Sequence, residues 1–270
     1  MMLNMFRVSR ADMNNLANFE QHTEISTRSP FPKFAVEVPN RRNWNAIADL
    51  EQERDELMIP MLGYGVATGV IVAALAGTGF SGLGLPFIAP AYNLFMQILE
   101  ILQIRDITKA LVEKFEDRGI EVFPRTSLED AGTIDLYLRF PTRKYLMVAL
   151  QGIGNNNVHY SPIKNILYLK NKNGKTRDLK RDKLDVLIHQ QITLRKKHRD
   201  LMGGNSRDTK HPIARVICLC GKGQIQPDFP KSLKRKIGDM TVSTIDIPGV
   251  LYIVMDKNIV EFVEAWISQH

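Results

Sequence analysis

Cysteine is scarce in this sequence, which contains only Cys218 and Cys220. Two thiols cannot complete a four-ligand zinc site, and they do not provide the several disulfides that stabilise small secreted domains. Both lie in an apolar segment typical of a strand, Val216-Ile217-Cys218-Leu219-Cys220. We therefore expect two buried free thiols in a reducing compartment.

Several enzyme motifs are also missing. The sequence contains no Gly-x-x-x-x-Gly-Lys phosphate loop and no Gly-x-Ser-x-Gly nucleophile turn. The first 40 residues lack the basic, apolar and small-residue pattern of a cleaved signal peptide, and we expect partial disorder there. Four histidines lack the spacing of zinc ligands and are interpreted as surface or structural residues: His159, His189, His198 and His211.

Charge is absent from residues 57–99, a run of 43 residues between Glu56 and Glu100. A helix crosses the hydrocarbon core with about 20 residues, so the run has room for two passes. The candidates are Ile59 to Thr78, rich in Gly and Ala that allow close helix packing, and Leu85 to Leu102. The glycine-rich segment between them favours a turn. We predict a transmembrane helical hairpin; a buried helical pair in a soluble protein, or a single pass, are the alternatives.

Basic residues flank this run on both sides. Arg41, Arg42 and Arg54 precede it, and Arg105 and Lys109 follow it. By the positive-inside rule both flanks lie in the cytoplasm, so we expect a membrane protein with a cytoplasmic C-terminal domain. The predicted division is 1–56, partly disordered and ending in a charged helix; 57–103, the transmembrane hairpin; and 104–270, a globular domain.

The rest of the chain alternates helical and strand patterns, which predicts an α/β domain. A helix ends at Gly119, and a helix from Lys183 to Leu201 divides the strands that follow. Asp256 is the expected cap of a final helix. The predicted strands are Ile120 to Phe123, Gly132 to Phe140, Tyr145 to Gln151, Ile166 to Lys170, Pro212 to Cys220 and Val250 to Val254.

Positive charge is concentrated in the C-terminal part of the chain. The formal net charge is +7, and residues 100–270 contain 29 Lys and Arg against 20 Asp and Glu. Between Ser161 and Arg199 there are twelve basic and three acidic residues, with Tyr168 as the aromatic residue. This pattern favours nonspecific contact with double-stranded nucleic acid over base stacking on single strands, although a solvated basic surface is the alternative. The candidate nucleic-acid-binding residues are Lys164, Lys170, Lys180, Arg181, Lys183, Arg195, Lys196 and Lys197.

Residues 132–140 and residues 145–151 each alternate apolar side chains with others. This pattern predicts a β-hairpin with a three-residue loop from Thr142 to Lys144. To bury both apolar faces in one core, we expect Leu136 beside Leu150, Leu138 beside Val148 and Phe140 beside Leu146. In this register Asp135 lies directly across from Gln151, at a Cβ separation of about 5 Å. A carboxylate and an amide are thus predicted to meet at one end of the hairpin.

This arrangement resembles the core of the restriction-endonuclease-like PD-(D/E)XK nucleases, and among them the nuclease-related domain family. In that family an Asp ends one strand, an acidic-x-Lys tripeptide ends the next, and the two acids hold a divalent metal. Gly132-Thr133-Ile134-Asp135 matches the first element, whereas Gln151-Gly152-Ile153 stands where the acidic-x-Lys tripeptide is expected. The resemblance covers about Ile104 to Met255 and implies a mixed sheet flanked by helices.

The resemblance also implies a set of site residues. Asp135 and Gln151 would hold Mg²⁺ or Mn²⁺ if the protein is active. A carboxylate from the preceding helix, a Gln from the second core helix and a lysine in place of the missing one would complete the site. The candidates are Glu113 or Glu116, Gln190 or Gln191, and Lys164 or Lys170.

Two functions remain open from the sequence. The first is a membrane-anchored, nuclease-like protein that engages nucleic acid at the cytoplasmic face, with weak, altered or lost phosphodiester cleavage. The second is a non-enzymatic membrane scaffold with a degenerate nuclease fold, whose basic face contacts acidic lipid or protein.

Overall fold

A computed structural model describes residues 39–75, 85–163, 166–179, 182–203, 211–226, 229–246 and 249–269. The partial disorder expected in residues 1–40 concerns a segment that lies almost entirely outside the described residues. The glycine-rich turn at residues 76–84 also lies outside them.

A seven-stranded mixed sheet forms the centre of the structure and confirms the α/β class. Its strand order is β1-β2-β3-β7-β10-β9-β8, with β3, β7 and β10 parallel to one another. A separate three-stranded sheet, β4-β5-β6, is called the arm. The described α-helices are α1 (Pro39–Leu75), α2 (Leu85–Phe115), α3 (Asp182–Lys197) and α4 (Ile259–Gln269). The strands are β1 (Glu121–Leu128), β2 (Gly132–Arg139), β3 (Tyr145–Gly154), β4 (Asn157–Ser161), β5 (Ile166–Lys170), β6 (Thr176–Asp178), β7 (Ile213–Gly221), β8 (Lys234–Ile237), β9 (Met240–Asp246) and β10 (Val250–Met255).

One face of the sheet carries the main hydrophobic core. Because side chains alternate along a strand, Leu136, Leu138 and Val148 face the same side and pack with residues of α2 and α4. The rings of Phe115 in α2 and Phe140 meet edge to face, with centroids 6.1 Å apart. Cys218 and Cys220 lie in this core as buried free thiols.

The opposite face contacts α3 and the turn that follows it. The rings of Tyr137 and Tyr145 are stacked there with centroids 6.2 Å apart. Their hydroxyl groups donate hydrogen bonds to the carbonyl oxygens of Leu201 (3.3 Å) and Met202 (2.7 Å). Burial raises the pKa of Tyr137 well above its usual value.

The β2–β3 hairpin has the predicted faces but a different register. Leu136 pairs with Val148 and Leu138 with Leu146, so each partner lies two residues earlier than expected. The reason is the turn, in which the amide of Phe140 donates to the carbonyl of Lys144 (3.0 Å) and the loop is Pro141 to Arg143. A shift of two residues preserves the alternation of faces, so hydrophobicity does not distinguish the registers. The predicted direct pairing of Asp135 with Gln151 is therefore wrong.

Helix α1 is part of the same hydrophobic core as the sheet. Ile47 and Leu50 belong to the core, and the side-chain amide of Asn43 donates to the carbonyl of Ile120 (2.7 Å). The amide of Val122 donates back to the Asn43 side-chain oxygen (3.0 Å). Helices α1 and α2 continue across the boundaries predicted after residues 56 and 103, and the domain boundary at 104 leaves out these core residues.

Residues 58–66 of α1 and 92–96 of α2 include exposed apolar side chains. By helix rise the two elements are about 55 and 46 Å long, and they pack against each other. Beyond the core, Ile59, Val66 and Tyr92 expose 75%, 66% and 60% of their surface. Within the described part of the chain, none of the helices has the length and apolar character needed to cross a membrane.

Candidate functional site

Asp135 lies where strands β2 and β3 separate. Their pairing ends at Leu136 and Val148, after which β2 continues beside β1 and β3 continues beside β7. The Asp135 carboxylate accepts a hydrogen bond from the backbone amide of Leu150 at 2.7 Å. We call the diverging ends, residues 132–135 of β2 and 149–154 of β3, the fork. Where the β2–β3 ladder ends, the Asp135 side chain, and not a backbone carbonyl of β2, therefore accepts from the Leu150 amide of β3.

Gln151 lies on β3 at the carboxyl end of the parallel strands. It pairs with Leu219 of β7, and its side-chain amide donates to the carbonyl of Gly152 at 3.1 Å. Counting in twos from the paired residues Tyr137 and Met147 puts Asp135 and Gln151 on the same face of the sheet. The fork thus presents one carboxylate and one amide on a common face.

The position expected to carry a lysine is buried. Ile153 is 1% exposed and lies where the β3–β7 pairing is irregular, between Gly152 and Gly154. Gly223 is essential to this packing, since a Cβ atom there would lie 1.8 Å from the carbonyl oxygen of Asn156 and 2.9 Å from the Ile153 side chain. An ammonium at residue 153 would be enclosed in the core.

Helix α3 contributes a buried glutamine to the fork. Gln190 is 2% exposed, and its amide donates to the carbonyl of Thr133 at 2.9 Å. Gln191, the other candidate, is half-buried. Residues 187, 190 and 194 share one side of a helix, and Leu187 and Leu194 are buried. Gln191 has the same spacing from these leucines, so helical periodicity did not distinguish the two glutamines, and the structure identifies Gln190 as the buried one.

Glu113 and Glu116 are found near other partners. The Glu113 carboxylate is exposed and lies 3.9 Å from the Lys109 ammonium. Glu116 accepts a hydrogen bond from the indole of Trp44 at 3.4 Å, next to Phe115, which packs on Phe140 at the turn end of the hairpin. Asp135 is five positions before Phe140, which corresponds to about 16 Å of extended strand. The described contacts do not bring either glutamate to the fork.

The fork is a poor fit for Mg²⁺ or Mn²⁺ as it stands. These ions favour several oxygen ligands, with carboxylates to balance their charge. Asp135 provides one carboxylate and Gln151 a neutral oxygen, and no group of three His, Cys, Asp or Glu side chains that could hold a metal occurs among the described residues. Metal-dependent cleavage remains a prediction, and no catalytic step follows from this arrangement.

The predicted basic residues have different surroundings. Lys197 forms an ion pair with Asp130, whose pKa is lowered by this hydrogen bond and charge. Arg195 donates to the carbonyl of His211 at 3.1 Å, while Lys170 and Lys196 are exposed. The side chain of Lys183 is not described, and the remaining candidates lie outside the described residues: Lys164, Lys180 and Arg181.

The arm presents further cations that the list of candidates missed. Lys172 and Lys175 are exposed in the turn between β5 and β6, and Arg177 is exposed on β6. The Asn171 side chain orders this turn by accepting hydrogen bonds from the amides of Asn173 (3.0 Å) and Lys175 (2.8 Å). The signal was available in the sequence, because all three lie in the basic segment from 161 to 199.

Comparison of the chain with protein-family models, curated proteins and solved structures finds no significant match.

Proposed function

We propose that this chain is a membrane-associated, nuclease-like protein that engages nucleic acid through its C-terminal domain, with metal-dependent cleavage weakened or lost. The observation that carries the proposal is the fork, where Asp135 of β2 accepts from the Leu150 amide of β3 and Gln190 of α3 donates to the Thr133 carbonyl of β2. The order of elements also supports the proposal. Helix α2 is followed by three antiparallel strands, and after the arm come α3 and β7, a strand parallel to β3. The resembled nuclease core has the same helix and three strands before its motif.

Two substitutions explain why cleavage would be weakened. An amide at Gln151 coordinates a hard cation less strongly than a carboxylate. At the third position of the motif, the buried Ile153 offers no cation near an attacking water. A protein of this kind would retain the shape of the nucleic-acid site and lose metal-dependent cleavage.

Engagement of nucleic acid is supported by the arm. Its exposed cations, Lys170, Lys172, Lys175 and Arg177, lie on two adjacent strands and the turn between them. Ammonium and guanidinium groups on such a surface bind phosphates through charge and the release of counterions, without reading sequence. Double-stranded, nonspecific contact is therefore the binding mode that we propose.

We expect the Lys172→Ala, Lys175→Ala double variant of the full chain to lose affinity for duplex DNA. Each lost phosphate contact lowers the slope of log K against log salt by about 0.9, so the double variant should lose about 1.8 units of slope. The measurement is duplex binding by fluorescence anisotropy across a salt series.

The matched control replaces two exposed lysines that do not belong to the arm, Lys109 and Lys231, by alanine. Equal losses in both double variants would show that binding follows net charge alone. No retention of duplex at low salt, together with binding to anionic vesicles, would favour the non-enzymatic scaffold.

Membrane association is proposed from the uncharged run and its exposed apolar side chains. Residues 57–99 lack charge, and the exposed large side chains of this stretch include Ile59, Leu62, Val66 and Tyr92. Contact with lipid would remove this apolar surface from water, which is favourable by roughly 25 cal/mol per Å² of buried surface. Because basic residues flank both ends, we propose that the C-terminal domain lies on the cytoplasmic side.

We expect the Ile59→Lys, Val66→Lys double variant to be released from membranes by carbonate, while the wild-type chain stays in the membrane fraction. A lysine near the centre of a bilayer costs about 2.5–3.5 kcal/mol on insertion scales. The control is the same change at Val186 and Ile192, which are 43% and 45% exposed on α3. Release of the wild-type chain by carbonate would contradict membrane insertion.

A further inference from the structure

One face of the arm is buried, and the opposite face is largely open to solvent. On the buried face Val158 pairs with Leu169, and these residues are 0% and 3% exposed. Because side chains alternate along a strand, the residues on either side of each of them point the other way. We call this the outer face of the arm. The strand pairing assigns to it Asn157, His159, Tyr168, Lys170, Thr176 and Asp178.

Two aromatic rings are stacked on the outer face. His159 of β4 and Tyr168 of β5 pair directly across the strands, with ring centroids 5.2 Å apart and ring planes inclined by 15°. Both residues are half-buried, so part of each remains open to solvent. The basic segment from 161 to 199 contains Tyr168 as its aromatic residue, and the strand pairing adds a second ring from just before that segment. Proteins that bind single strands stack unpaired bases on rings of this kind.

Cations lie next to this ring pair. Lys170 is exposed on the outer face, two residues along β5 from Tyr168 and therefore about 6.6 Å away along the strand. A base stacked on the rings thus places its neighbouring phosphate within reach of the Lys170 ammonium. Lys172 and Lys175 are exposed in the turn that follows and extend the positive surface. Since Asp178 is the one carboxylate on the outer face among the described residues of the arm, this surface complements a polyanion.

We propose that the outer face of the arm binds an unpaired base of a nucleic acid, with the base stacked on His159 and Tyr168 and its phosphate held by Lys170. This inference rests on the proposed engagement of nucleic acid and specifies the form that the arm selects, a duplex with an unpaired end. The turn lysines contact phosphates of the duplex, and the ring pair contacts the base beyond it. Every base has a flat π surface, so the site distinguishes unpaired from paired bases without reading sequence.

The test compares DNA probes that share one duplex. The first is blunt, the second carries a short single-stranded thymidine tail, and the third carries an abasic tail of the same length, which has the same phosphates without the bases. Binding of the full chain in detergent is measured by fluorescence anisotropy. We expect the thymidine tail to be bound about fivefold to tenfold more tightly than the abasic tail, because one stacked base changes affinity by about this factor.

Variants assign the preference to the ring pair. The His159→Val, Tyr168→Val double variant keeps strand-forming residues but no rings. It should bind the thymidine and abasic tails equally, with its affinity for the abasic tail unchanged because the lysines remain. Tyr168→Phe retains a ring and should restore the preference that Tyr168→Val loses. The matched control changes an exposed histidine and an exposed tyrosine outside the arm, His189→Val and Tyr92→Val, and should keep the wild-type preference.

The proposal is overturned if the wild-type chain binds the thymidine and abasic tails equally well, a comparison that needs no variant. It is also overturned if the double variant weakens binding of all three probes to the same degree, because the ring pair then serves only to hold β4 and β5 together. Blunt-duplex binding that depends on Lys172 and Lys175, without a preference for bases in the tail, would leave the nucleic-acid proposal standing. Absence of binding to any probe at low salt would overturn both.

Discussion

Replacement of Asn43 by leucine should lower the free energy of unfolding by roughly 2–6 kcal/mol, because each buried polar group left unpaired costs about 1–3 kcal/mol. Asn43 is 1% exposed and joins α1 to the start of β1 through both halves of its amide. Leucine has a similar size but can neither donate to the Ile120 carbonyl nor accept from the Val122 amide. Domains are typically stable by 5–15 kcal/mol, so this loss is a large part of the total.

The matched control is Asn45→Leu, the same change two positions along α1 at an exposed site. Exposed substitutions usually change stability by less than about 0.5 kcal/mol. The measurement is chemical unfolding of the full chain in detergent, followed by the fluorescence of the buried Trp266. Equal stability of the two variants would show that α1 is not docked on the sheet, and that residues 104–270 form the domain by themselves.

Much of the fold could be predicted from periodicity, and the exceptions have identifiable causes. The alternation in β2 and β3 specified their faces, but their register depended on the turn, where Arg143 has a positive φ of 58°. A non-glycine residue in that region gives no turn signal in the sequence. Strand β8 was missed because Lys234-Arg235-Lys236 is typical of a charged loop, whereas in the structure it pairs with β9.

Site residues were predictable where they belong to one local pattern and unpredictable where distant segments meet. Asp135 follows from the end of a strand pattern, whereas the pattern of α3 left Gln190 and Gln191 as alternatives. The burial of Ile153 depends on its packing near Gly223, and the role of Asn43 depends on residues 77 and 79 positions away. No local pattern contains that information.

Gln151→Glu should raise the affinity of the fork for Mn²⁺ by about tenfold or more, equivalent to roughly 1.4 kcal/mol. The change places a second carboxylate on the same face as Asp135, and hard divalent cations favour charged oxygen ligands. Without metal the two carboxylates repel each other, so the variant should be less stable than wild type and should regain stability as Mn²⁺ is added. The measurements are titration calorimetry with Mn²⁺ alone and the melting temperature as a function of Mn²⁺.

Two further variants make the result specific to the fork. Asp135→Asn keeps an oxygen that can accept from the Leu150 amide while removing the charge, so it should abolish the gain when combined with Gln151→Glu. Gln191→Glu adds a carboxylate to the half-buried position on α3 and should not raise Mn²⁺ affinity. Lysine at residue 153 is excluded from the design because that side chain is buried.

The same variants separate a degenerate nuclease site from a working one and from a structural aspartate. If Gln151→Glu gains Asp135-dependent metal binding while wild-type protein leaves DNA intact, the fork has the geometry of a metal site and has lost its chemistry by losing one charge. If wild-type protein cleaves DNA with Mn²⁺ and Asp135→Asn abolishes cleavage, a ligand from another position completes the native site. If Gln151→Glu does not change Mn²⁺ affinity, Asp135 serves only to hold the Leu150 amide where β2 and β3 separate, and the nuclease-like proposal fails.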